Sequence, residues 1–76
     1  MHELETKLFL KEQLLQSLPP IIARHKIRSY LGDLISEKYL ANLDSLGTGP
    51  RKVKFGRKVA YLRDDLVDWL LARYEE

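Results

Sequence analysis

The chain has 76 residues, no cysteine, 45% apolar residues and a net charge of +2. That length suits one small domain, and the missing cysteines exclude disulfide and thiolate–metal stabilisation and fit a reducing cytosol. No run approaches the roughly 20 apolar residues of a membrane span, and Glu3 and Glu5 precede any apolar run, so neither membrane insertion nor a signal peptide is expected.

The first element is a helix over about Thr6 to Ser17. Leu4, Leu8, Leu15 and Leu18 fall on one helical face, with Phe9, Leu10 and Leu14 beside it. Strong helix formers fill the other positions, and Pro19-Pro20 ends the helix by removing donors and turning the preceding residue away from the helical region. This leucine-rich face either packs on the rest of the domain or pairs with a second copy. Ile21-Ile22 reads as a short extended segment, able to add an edge strand to a later hairpin.

A second helix is expected from about Arg24 to Leu31, with Ile27, Leu31 and Tyr30 inward and Gly32 as its C-cap. Asp33-Leu34-Ile35 forms the turn, with Leu34 or Ile35 plugging the space between helices. Ser36 is a good N-cap for a third helix, because its hydroxyl can accept from a free backbone N–H one turn on. That helix runs to about Leu46 and ends at Gly47. Leu40 and Leu43, flanked by Tyr39 and Leu46, make its core face, while Lys38, Ala41, Asn42 and Ser45 make a small polar face that can lie close against a surface.

Thr48-Gly49-Pro50 is the joint into two strands at about 51–55 and 59–62. Val53 and Phe55 alternate with Lys52 and Lys54, the period-2 pattern of a half-buried strand. Gly56-Arg57-Lys58 forms the tip, and Val59 and Tyr61 alternate with Ala60 and Leu62 on the return. Asp64 is expected to cap a last helix over about Asp65 to Tyr74, where Trp69 should be the largest core residue, with Leu66, Leu70 and Val67 beside it.

The small net charge hides an asymmetry. Residues 1–23 carry two lysines against three glutamates; residues 24–63 carry ten Lys or Arg against three acids; residues 64–76 carry one Arg against five acids. A basic middle between acidic ends marks which part should face a polyanion. The cations concentrate on a hairpin, where solubility does not require them.

The run LDSLGTGPRKVKFGRKVAYLRDDLVDWL, with the helix pair of residues 27–46 before it, resembles the helix-turn-helix domains of phage excisionases and AlpA-type prophage regulators. These share a winged-helix architecture with the DNA-binding part of MerR regulators. The resemblance covers roughly residues 21–73. It implies a mainly α fold with a small β-hairpin, a winged helix-turn-helix, preceded here by an extra N-terminal helix over residues 1–18, all in one domain. It also implies that the helix Ser36–Leu46 enters the major groove of duplex DNA and that the Arg57-Lys58 tip is the wing. Two features depart from the family: the groove-entering helix is not basic, since Glu37 and Asp44 offset Lys38, and the N-terminal helix lies outside the minimal domain.

On that reading Lys38, Ala41, Asn42 and Ser45 contact base edges, with Asn42 the best single reader because asparagine pairs bidentately with adenine. Arg24, Lys26, Arg28, Arg51, Lys52, Lys54, Arg57 and Lys58 contact phosphates. The expected role is a prophage or mobile-element regulator or an excisionase, in the bacterial cytoplasm or phage nucleoid. The expected partners are double-stranded DNA, a second copy of the chain in a homodimer or DNA-dependent oligomer, and an integrase or the transcription machinery. No enzymatic activity, cofactor or metal is expected. Asp64, Asp65 and Asp68 sit where a helix start attracts acids, His2 and His25 lack partners at ligand spacing, and no phosphate-loop or nucleophile motif appears. The alternative is a protein-interaction adaptor working through the leucine-rich N-terminal helix. RNA is the weaker third option, since no exposed aromatic platform is expected.

Overall fold

A computed structural model describes residues 2–74, with side chains from residue 4 onward. Glu75 and Glu76 of the acidic end, and the side chains of His2 and Glu3, lie outside the described residues. The order is α1 (His2–Ser17), β1 (Ile21–Ala23), a 3₁₀ turn (Arg24–Lys26), α2 (Ile27–Tyr30), α3 (Glu37–Ser45), β2 (Lys52–Phe55), β3 (Lys58–Leu62) and α4 (Arg63–Ala72). The fold is mainly helical with one antiparallel sheet. No helix among the described residues is long and apolar enough to cross a membrane.

The sheet has three strands in the order β1-β3-β2, rather than a hairpin alone. Ile22 pairs with Tyr61 and Ala23 with Ala60, so the expected edge strand forms on the return side of the hairpin. That makes β3 the central strand. Its neighbouring residues Ala60 and Tyr61 are both buried, which strict alternation does not allow for. On β2 the alternation also fails at its end: Val53 is half-buried, but Phe55 is exposed, because it pairs with Lys58 at the tip, beyond the body. The strands run 52–55 and 58–62, leaving Arg51 in the joint and only Gly56-Arg57 in the turn. Gly56 takes a φ of +64°, and Arg57 does not share the left-handed region. Glycine alone at the first central position is the requirement of a type II′ hairpin turn.

Six side chains fill the fully buried core: Ile22, Ile27, Leu40, Tyr61, Leu66 and Val67. They come from β1, α2, α3, β3 and α4, so the sheet and three helices share one interior. The C-terminal half of α1 closes it, with Leu18 buried and Leu14 and Leu15 packed against the cluster, and Lys11 paired to Asp68 of α4 at 3.7 Å.

Several expectations are corrected. The second helix is split into the 3₁₀ turn and the single turn of α2, and Tyr30 is exposed rather than inward. Of the two residues offered for the space between helices, Ile35 packs on the core as allowed for, and Leu34 is exposed. Tyr39 and Leu46 are exposed: on α3 they lie well round from Leu40, where the Tyr39 hydroxyl accepts from Arg73 Nη2 at 2.9 Å and Leu46 stays in water. Helix α1 begins before Thr6. Helix α4 starts at Arg63, and its N-cap Leu62 has no side-chain bond, so Asp64 is not the cap; Asp64 and Asp65 instead sit in the first turn, where the helix dipole favours acids. Trp69 is half-buried at the rim, and Tyr61 is the largest fully buried side chain. The indole N–H needs an acceptor, and finds it in the Thr48 carbonyl at 3.0 Å, at the edge of the domain. Arg73 covers its ring at 4.6 Å.

Candidate nucleic-acid interface

Helix α3 is held at both ends by devices written into its sequence. Ser36 accepts from the Tyr39 N–H at 3.1 Å, as an N-cap should. At the other end Thr48 N–H donates to the Leu43 carbonyl at 3.0 Å and Gly47 N–H to the Asp44 carbonyl at 3.1 Å. This is the Schellman arrangement, and it turns the chain sharply toward β2.

Between these ends Leu40 is fully buried, and the opposite face carries Lys38, Asn42 and Ser45, all exposed. Ala41 sits at the edge of this face and is half-buried. The Ser45 hydroxyl donates back to the Asn42 carbonyl at 2.9 Å, which leaves its lone pairs as the outward-facing capacity. Leu46, 73% exposed and one turn on from Asn42, extends this face with an apolar group. The sequence reading assigned it to the core. Its spacing of four from Asn42 was the signal for the outer side.

The cations divide into two groups. Four of the body are engaged with acids: Lys11 with Asp68, Arg28 with Asp33 at 3.0 Å, Arg63 with Asp64 at 3.3 Å, and Arg24 with Asp44 at 2.9 Å. Those of the hairpin and its joint are not: Arg51, Lys52, Lys54, Arg57 and Lys58 are exposed and have no acidic partner among the described residues. Lys26 and Lys38 are also exposed and, among the described residues, unpaired.

Arg24 departs from its expected role as a phosphate contact. The Asp44 side chain is only 3% exposed, and its Oδ2 accepts from both Arg24 Nη1 and the Tyr61 hydroxyl, the latter at 2.6 Å. Burial works against Arg24's charge, but Asp44 and Tyr61 outweigh it and its pKa is raised. Burial, then the bond to Asp44, pushes the Tyr61 phenol well up. Arg24 is therefore a strut between the 3₁₀ turn and α3. Asp44, counted in the sequence as an acid offsetting Lys38, is turned inward and neutralised, so it does not repel an anion at the outer face. Arg28 keeps its surface position, since both it and Asp33 are exposed.

A cleft of about 170 Å³ brings the hairpin tip to the first turn of α3. Arg57 and Lys58 line it on one side, Glu37 on another, and Arg24 with His25 on a third. His25, set aside in the sequence for want of metal-ligand spacing, joins the basic side of this cleft. Exposed aromatic side chains do occur, but Phe9, Tyr30, Tyr39 and Phe55 belong to four different elements. Among the described residues no group of three or more His, Asp or Glu side chains is placed to hold a metal ion.

No protein-family model, curated protein or solved structure matches the chain.

Proposed function

We propose that this chain is a double-stranded DNA-binding module of winged helix-turn-helix type, serving a mobile element as a transcriptional regulator or excisionase. The observation that carries the reading is the division of the cations. Four acids engage Lys11, Arg24, Arg28 and Arg63 of the body, while five cations on one hairpin and its joint stand exposed and, among the described residues, unpaired. Unpaired cations gathered on one projection repel each other, and phosphate relieves that repulsion. The hairpin tip shares a cleft with the start of α3, so a duplex touching one meets the other.

In this arrangement α3 lies in the major groove with Lys38, Asn42, Ser45 and the small Ala41 toward base edges, and Leu46 able to meet a thymine methyl. Arg51, Lys52, Lys54, Arg57 and Lys58 hold the backbone, with Lys26 and Arg28 flanking. Phosphate contacts position the module and base contacts select the site. The likeness to excisionases and AlpA-type regulators points to a short operator or recombination site, with an integrase or the transcription machinery as the partner.

Binding to duplex DNA measured by fluorescence anisotropy over a range of salt tests the proposal. The expected log–log slope corresponds to about five released counterions or more. Affinity that is absent at low salt, or indifferent to it, overturns the reading.

A further inference from the structure

Leu4, Leu8, Leu15 and Leu18 share one face of α1 and its end, a stripe interrupted by Lys11 between Leu8 and Leu15, and the body covers only the second half of it. Leu18 is 4% exposed and Leu15 packs on the core, whereas Leu8 and Leu4 are 59% and 60% exposed. The helix has further apolar groups around its circumference, with Leu10 and Leu14 on another side and Phe9 on a third. Beside α1 lies an apolar groove of about 780 Å³, between α1, the end of α4 and the turn before α3. Leu14, Ile35, Leu70 and Leu71 line it, and Leu34 stands at its edge, 80% exposed.

We infer that two copies of this chain dimerise by laying the uncovered N-terminal half of each α1 in the groove of the other. The stripe shows why the occupant is a second copy. Where its own body stops covering the stripe, an antiparallel partner's body takes over, and Leu4 and Leu8 meet in the partner the same kind of surface that Leu15 and Leu18 meet at home. A two-fold axis makes the contact twice and satisfies both helix ends and both grooves together. A foreign helix in the groove leaves Leu4 and Leu8 in water. The area is sufficient: Leu4, Leu8, Leu34 and Tyr39 expose on the order of 400 Å² of apolar surface per chain. Doubled and with its polar rim, the contact reaches about 1,000 Å², where specific association begins.

This inference does not depend on DNA binding, and its test uses none. Sedimentation of the full chain at high micromolar concentration is expected to show a dimer. Leu34→Glu alone, and Leu4→Glu with Leu8→Glu, are each expected to weaken it at least tenfold with unchanged circular dichroism, since these side chains are exposed in the single chain. The chain has no cysteine, so a mixture of Leu8→Cys and Leu34→Cys chains reports the contact by oxidation: a disulfide joining the two variants supports the exchange. A wild-type monomer at high concentration overturns it, as does a dimer that survives Leu34→Glu. Leu8→Cys chains that cross-link only to each other also overturn it, replacing the groove by a helix-to-helix contact.

Discussion

Tyr61 donates its phenol hydrogen to the Asp44 carboxylate at 2.6 Å, and so ties the central strand to the last turn of α3. Arg24 donates to the same oxygen from the other side. A buried carboxylate survives only when it is bonded and paired, so these three side chains fix α3 against the sheet as one unit. Asp44→Ala strands both donors and is expected to cost about 3 kcal/mol, a large share of what so small a domain has. Tyr61→Phe leaves the ion pair and should cost about 1–2 kcal/mol. Urea unfolding of both variants and their double mutant checks this, with a coupling above about 0.5 kcal/mol expected for groups in contact. An unchanged midpoint for Asp44→Ala shows that the unit does not hold the fold.

The same bond sets an alkaline limit. Tyr61's phenol is raised above its ordinary value of 10.0, by burial first and by Asp44 second. Its contribution to stability is therefore complete below pH 10. Above that pH the unfolded chain loses this proton while the folded chain keeps it, so stability falls as pH rises, by about 1.4 kcal/mol per pH unit for one group. Melting temperatures compared between wild type and Tyr61→Phe isolate the effect from lysine titration. The wild type should lose its advantage over the variant progressively above pH 10, and a constant difference contradicts the assignment.

Gly49 is required for a different reason. A Cβ built on it runs into the Asp44 carboxylate, and it also comes within 3.3 Å of the Asp44 backbone nitrogen. That carboxylate cannot step aside, because Arg24 and Tyr61 hold it. Gly49→Ala is expected to cost about 1–3 kcal/mol, the usual range for overpacking. In the Asp44→Ala background the same change should cost much less, and equal costs in both backgrounds exclude the proposed clash.

Much of the fold was legible because its signals are local. Ser36 as N-cap, Gly47 as helix end, Gly56 in the turn and Ile21-Ile22 as an edge strand follow from backbone chemistry that a few residues decide. What the sequence concealed depends on distant partners. Asp44 reads as a surface acid until Tyr61, seventeen residues on, is known to lie beneath it. Trp69 reads as the core's centre by size, yet its N–H draws it to the rim at Thr48. Leu46 and Phe55 have core-like composition, but the body of so short a chain does not extend far enough to cover them. In the candidate site, the exposed positions of Lys38, Asn42 and Arg57 follow from helix spacing and turn type. The loss of Arg24 to an internal pair follows only from packing.

The division of labour between hairpin and helix yields the sharpest test. Arg57 and Lys58 stand exposed at the tip with no acidic partner among the described residues, where long cations reach phosphate or a narrow minor groove. Asn42 stands exposed on α3, opposite the buried Leu40, where its amide can reach a base edge. Arg57→Ala with Lys58→Ala should weaken binding to every duplex and reduce the salt slope by about two units, one for each lost phosphate contact. Neither side chain packs in the core, so the fold should be unaffected. Asn42→Ala should leave the salt slope and non-specific binding intact and cost about 1–3 kcal/mol at the cognate site alone. The cognate site is first selected from a random duplex library with the wild-type chain, and each variant is then titrated with salt on selected and scrambled DNA. A tip variant that binds both duplexes like wild type makes the hairpin a solvated surface. An Asn42 variant that weakens both duplexes equally shows that α3 is not the reading element, and moves the search for it to the hairpin strands.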